Sequence, residues 1–186
     1  MLSNIESKRN RKLILVIGGV ASGKTTFIFN NLKKLKEKCI IYDINREEIY
    51  KKLPVVSLEK IGIIKKGKWR NICKDPDIFF STILKKYRNG ILICDDFDRY
   101  QSVITDDIRS LVIGYRHLGL DVILVFHSLA RVLPIVYENC SDIFLFKTSE
   151  QPDRSIYKIP NYEKVIEKFN VLQNSENFTH FYISIR

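Results

Sequence analysis

The chain has 186 residues, 45% of them hydrophobic, with only 8 glycines and 5 prolines, which suits one compact domain over residues 1–186 and excludes a disordered or fibrous protein. No apolar run reaches the about 18 residues of a membrane span, and the start, MLSNIESKRNRK, lacks the apolar centre of a secretory signal, so a soluble intracellular protein without membrane insertion is expected. The net charge of +10 is lopsided: residues 1–75 hold 18 Lys and Arg against 7 Asp and Glu, the remainder 13 against 14, which fits either a face for a polyanion or a solubilising lysine-rich surface.

KLILVIG (12–18) is a short β-branched run entering glycines and predicts a buried strand. The spacing of Phe27, Ile28, Leu32 and Leu35 predicts a helix over 24–38, and CIIYDI (39–44) a second strand. Residues 54–74 are less regular, with two short strands expected around Gly67. A helix over 77–88 precedes the strand GILICDD (90–96), and a helix over 103–118 ends at Gly119. The strand DVILVFHS (121–128) leads to a helix over 129–139, the strand SDIFLFKT (141–148), a short helix over 161–170 and an alternating strand, FTHFYISI (178–185). Strands alternating with helices predict an α/β fold, a mainly parallel central sheet with helices on both faces. The four cysteines, Cys39, Cys73, Cys94 and Cys140, form no CxxC pair. Three of them sit in or beside apolar runs, as free thiols of a reducing compartment do.

GGVASGKTT, residues Gly18, Gly19, Val20, Ala21, Ser22, Gly23, Lys24, Thr25 and Thr26, follows a strand and opens a helix, the context in which G-x4-G-K-T is the phosphate loop of a P-loop NTPase. Glycines let successive N–H groups turn inward, and the helix N-terminus adds positive potential. Lys24 is expected on the β- and γ-phosphates of ATP, with the Thr25 hydroxyl on Mg²⁺. ILICDDFD (91–98) delivers Asp95 to the carboxyl edge of the sheet, where it would hold Mg²⁺ through water. Asp96 is placed to orient or deprotonate an attacking water, or else to cap a helix or face solvent. Two adjacent acids favour hydrolysis over transfer to a small acceptor.

With both motifs placed, the chain resembles the FtsK/HerA superfamily of ring-forming DNA-pumping ATPases, most of all its small viral genome-packaging members. The likeness spans residues 12–158 and is carried by GGVASGKTT, YDINREEIY, CDDFDRY, YRHLGLDVILVFHS and FKTSEQPDRS in that order. It implies a supporting acid at Asp43, with Glu47 a weaker counterpart, and a basic helix end at Arg116. It puts His127 in place of the usual Gln that senses the γ-phosphate, although a core histidine at a strand end also fits. It further implies that Arg154 reaches the neighbouring subunit's nucleotide, where an ion pair with Asp153 or Glu150 is the plainer alternative. Arg116 is a second candidate for that role. KKGKWR offers Lys65, Lys66, Lys68, Trp69 and Arg70 either for DNA phosphates and bases or as a solvated hairpin whose Trp covers the core.

The resemblance thus implies an ATP- and Mg²⁺-dependent double-stranded DNA translocase that packages a viral genome. It would act as a homo-oligomeric ring, hexamer or pentamer, with shared active sites and a capsid vertex protein as partner. It would work in the host cytoplasm during assembly and could travel with the virion. The alternatives are a phage-assembly ATPase resembling the zonula occludens toxin family, a nucleotide or small-molecule kinase, and a noncatalytic nucleotide-gated module.

Overall fold

Each apolar run becomes a strand of a single sheet. A computed structural model describes residues 10–99, 105–152 and 154–185, the side chains of residues 154 and 155 excepted. The strands are β1 (Leu13–Ile17), β2 (Cys39–Tyr42), β3 (Lys68–Asn71), β4 (Gly90–Cys94), β5 (Leu120–Phe126), β6 (Asp142–Phe146) and β7 (His180–Ser184). Their order in the sheet is β3-β2-β4-β5-β1-β6-β7. All neighbours pair in parallel except β7, which runs antiparallel to β6 with Phe146 opposite His180.

The helices are α1 (Lys24–Leu32), α2 (Pro76–Lys86), α3 (Asp106–Gly114), α4 (Pro134–Asn139) and α5 (Tyr162–Gln173). Strand side chains alternate between two cores, as a period of two requires. Leu13, Leu15 and Ile17 of β1 join Phe79, Phe80 and Ile83 of α2, Leu111 of α3, Tyr137 of α4 and Phe169 of α5 on one face. Val16 joins Ile28 and Leu32 of α1, with Tyr50, on the other. Four helices therefore cover one face and α1, with the 3-10 turn Glu48–Lys52, the second.

Several boundaries differ from expectation for identifiable reasons. Helix α1 stops at Leu32 rather than 38, because Lys34 and Leu35 bond three residues back and tighten the chain out of the helix. Residues 58–63 form a 3-10 turn, so one strand, β3, stands where two were expected. The run 129–139 is divided into a 3-10 turn (Leu129–Arg131) and α4, since Pro134 cannot donate the hydrogen bond that would join them. Helix α3 starts after Thr105, whose hydroxyl caps Ile108 N–H at 3.4 Å; residues 103 and 104 lie outside the described residues. Among the described residues all four cysteines are free thiols, and no helix is long and apolar enough to cross a membrane.

Candidate nucleotide site

The end of β1 is clamped by its neighbours. Gly18 N–H donates to the Phe126 carbonyl of β5 at 3.1 Å and Gly19 N–H to the Lys147 carbonyl after β6 at 2.8 Å. Space is short there: a Cβ built on Gly18 would lie 2.5 Å from Phe146 Cβ and 2.8 Å from Ser22 Oγ. Ala21 (φ 58°) and Gly23 (φ 94°) take left-handed conformations that fold the loop over and aim it into α1. Lys24 is buried beneath this loop, its Nζ donating to the carbonyls of Gly18 at 2.6 Å and Gly19 at 2.8 Å. Desolvation lowers its pKa against the opposing pull of Asp95, Asp96 and Asp98.

Three acids follow β4 within four residues. Asp95 is buried, and its carboxyl is pushed up from 3.8 to about 6, first by desolvation and then by the charge of Asp96, with the Tyr50 hydroxyl acting the other way. Its Oδ1 accepts from Asp96 N–H at 3.1 Å. Asp96 sits at φ 49°, a conformation that costs a non-glycine residue on the order of 1 kcal/mol. Its carbonyl opens the 3-10 turn by accepting from Arg99 N–H at 3.0 Å, while its carboxylate accepts from Asn45 Nδ2, lies 3.5 Å from Arg99 Nε and 3.2 Å from His127 Nε2.

The third acid, Asp98, was given no role by sequence reasoning. It belongs to a 3-10 turn (Phe97–Arg99) whose Phe97 is driven into the core, and its side chain is only 1% exposed. Both its oxygens contact His127 Nδ1, at 2.8 and 2.9 Å, and Oδ2 also accepts from His127 N–H at 3.3 Å. His127, just past the end of β5, is thus held by Asp98 at one ring nitrogen and presents the other to Asp96. A plain core histidine would need one satisfied nitrogen; this one bridges two carboxylates. The only advance signal was the third acid of DDFD, and its meaning depended on knowing that β4 and β5 are neighbours.

The bracing extends outward. Arg131 lies 3.4 Å from Asp98 Oδ2 and 3.0 Å from Glu150 Oε1, and Ser128 Oγ also donates to Glu150. Glu150 is thus engaged by Arg131 and Ser128. The Arg154 side chain lies outside the described residues; its backbone opens the 3-10 turn Arg154–Lys158.

Asp43 is buried after β2, with Oδ1 accepting from Glu47 N–H at 2.8 Å and Oδ2 3.4 Å from Arg70 Nη1. Burial raises its pKa while these two partners oppose the rise. Glu47 itself lines the cleft. Arg116 is exposed, donates to its neighbour Tyr115 Oη at 3.0 Å, and lies with Arg11 and Lys12 around a second hollow at the amino edge of the sheet. The basic segment divides: Lys65 and Lys66 are exposed, whereas Lys68 Nζ donates to the Leu35 and Glu37 carbonyls. Trp69 packs on the core with its indole N–H 2.9 Å from the Lys66 carbonyl, and Arg70 is spent on Asp43.

The phosphate loop from Val20 to Thr26, Glu47, Asp96, Arg99, His127 and Phe178 enclose one cleft of about 350 Å³. Magnesium fits the donor set there. That ion takes one or two protein oxygens and completes its shell from phosphate and water. Thr25 lines the cleft, whereas Asp95 is buried at the end of β4 and does not itself line it.

No family model matches the chain, and none of the curated proteins matches it. Solved structures do. The genome packaging NTPase B204 from Sulfolobus turreted icosahedral virus 2, in complex with ATP-gammaS, aligns over 94% of this chain and 92% of that one, with 23% identity and a TM-score of 0.73. The same protein in complex with AMP aligns over 94% and 93%, with 23% identity and a TM-score of 0.69. B204, the DNA-packaging ATPase from Sulfolobus turreted icosahedral virus, aligns over 94% and 92%, with 22% identity and a TM-score of 0.67. The chain has the α/β P-loop NTPase fold of these viral packaging enzymes over nearly its whole length. In fold, the resemblance drawn from the ordered motifs is borne out.

Proposed function

We propose that the chain is an ATPase that drives double-stranded viral DNA into a capsid, working as a homo-oligomeric ring, hexamer or pentamer, with active sites shared between neighbours. The observation that carries this reading is the convergence of Asp96 and the Asp98-held His127, 3.2 Å apart, on the cleft that the phosphate loop closes. A fold shared end to end with packaging NTPases supports the choice of work to which hydrolysis is coupled.

Lys24 and the N–H groups of residues 23–26, at the start of α1, bind the triphosphate. Thr25, and Asp95 through water, would hold Mg²⁺, which would supply charge neutralisation on the phosphates. Asp96 orients the attacking water and takes its proton. The Nε2 of His127 lies beside that carboxylate and answers to the charge at the terminal phosphate. Because Asp98 holds Nδ1, turning the ring away from Asp96 would cost that buried carboxylate its shortest contact and leave it the longer ones to His127 N–H and Arg131. Arg154 of a neighbouring copy completes the site by stabilising charge on the transferring phosphoryl group. Lys65 and Lys66, the exposed cations of the basic segment, are candidates for sequence-independent contact with DNA phosphates. A capsid vertex protein would be the assembly's partner, in the host cytoplasm or on the virion.

The test is ATP hydrolysis measured with and without duplex DNA, followed by mixing wild type with Arg154→Ala. DNA should stimulate turnover, and activity should fall more steeply than dilution as the variant is added, because each arginine serves the adjoining site. Phosphate transfer to a nucleoside monophosphate without any DNA response would select a kinase instead.

A further inference from the structure

The cleft has two unlike ends. Asp96 and His127 come from the ends of β4 and β5, so the charged end lies on that side of β1. On the other side lie β6 and β7. Because β7 runs against β6, with His180 beside Phe146, the turn before β7 returns to the carboxyl edge of the sheet. That turn carries Phe178 to the rim of the phosphate loop.

Phe178 is 66% exposed and sits at φ 70°. A bulky aromatic side chain rarely adopts that backbone conformation, and such strain is characteristically kept at ligand sites. The turn is tied to the loop it faces: the Lys147 carbonyl accepts from Gly19 N–H at 2.8 Å, and Lys147 Nζ donates to the Ser175 carbonyl at 3.1 Å. The ring edge lies on the start of α1, so close that a Cβ on Gly23 would come 2.9 Å from Phe178 Cδ1. Val20, 85% exposed, is a second apolar group lining the same cleft. An exposed aromatic ring held at the apolar end of a cleft, with anion-binding N–H groups between it and the acids, matches a molecule with a flat π-face at one end and phosphates at the other.

We propose that Phe178 is the nucleobase platform of this site, its ring stacking on the purine of bound ATP. The proposal rests on the nucleotide reading above and adds to it the residue that tells a nucleotide from a bare polyphosphate. Stacking is sequence-tolerant because every base offers a π-face.

The test is binding of ATP and of inorganic tripolyphosphate, each with Mg²⁺, to wild type, Phe178→Ala and Phe178→Tyr by calorimetric titration. Phe178→Ala should bind ATP about tenfold more weakly, about 1.4 kcal/mol, while tripolyphosphate binding stays within about twofold and Phe178→Tyr restores ATP binding. Equal weakening of both ligands would overturn the platform and leave the ring as a prop for the loop at Gly23. Unchanged ATP binding by Phe178→Ala would overturn it outright. If the wild type bound neither ligand, the nucleotide site itself would fall, and the platform with it.

Discussion

Replacing Asp95 with asparagine should make the ligand-free protein more stable while removing its hydrolysis. The carboxyl sits at about 6 against an ordinary 3.8, so ionising it in the folded protein at pH 7.5 costs about 3 kcal/mol. The native state binds more protons than the unfolded chain between those two values. The stability contributed by the neutral acid is therefore complete below about pH 4 and lost as pH rises through about 6. Asparagine keeps the oxygen that accepts from Asp96 N–H but brings amide donors into a buried place, at about 1 kcal/mol. The variant should be slightly less stable than wild type at pH 4 and about 2 kcal/mol more stable at pH 7.5, raising Tm by about 4–8 °C. The assay is thermal unfolding of both proteins from pH 4 to 8 with chelator and without nucleotide; carboxylates remote from Asp95 contribute equally in the two and cancel. A stability gap that does not change with pH, or a variant less stable at pH 7.5, would refute the desolvation argument.

Asp98→Asn should lower kcat about tenfold, since a charge-assisted bond to His127 becomes a neutral one, with ATP affinity unchanged in calorimetric titration. Asp96→Asn should bind ATP normally yet lose turnover in a phosphate-release assay; full hydrolysis would remove its water-orienting role. Lys24→Ala should weaken ATP binding on the order of a hundredfold and lower Tm by only a few degrees (about 2–4 °C), because relief of the ammonium's desolvation partly offsets loss of its bonds to the Gly18 and Gly19 carbonyls. Gly18→Ala should lower stability to urea by about 1–3 kcal/mol, since its methyl would meet the Phe146 Cβ at 2.5 Å with rigid backbone on both sides.

The parallel core was legible because its strands are buried on both faces and so appear as unbroken apolar runs. The phosphate loop and Asp95 were legible because local sequence alone dictates them: a glycine turn between strand and helix, an acid ending an apolar strand. Edge strand β3 was harder, since its one-sided burial leaves KWRN with no distinctive period. Helix ends were overextended where Leu35 kept the apolar rhythm after the chain had left the helix. Asp98 and Phe178 escaped for a different reason. Each acquires its meaning from a neighbour distant in sequence, His127 across 29 residues and Gly23 from near the other end of the chain. The same holds for Arg70, whose partnership with Asp43 across 27 residues withdraws it from the basic surface.

The bond between Lys24 and the two carbonyls of its own loop changes what an incoming ligand meets. Those carbonyls point at an ammonium that their own chain provides, so the turn is kept in register by an internal stand-in for the guest. Phosphate oxygens must win that ammonium from Gly18 and Gly19. Part of their attraction is offset by the exchange, which moderates affinity and lets spent nucleotide leave as the lysine swings home.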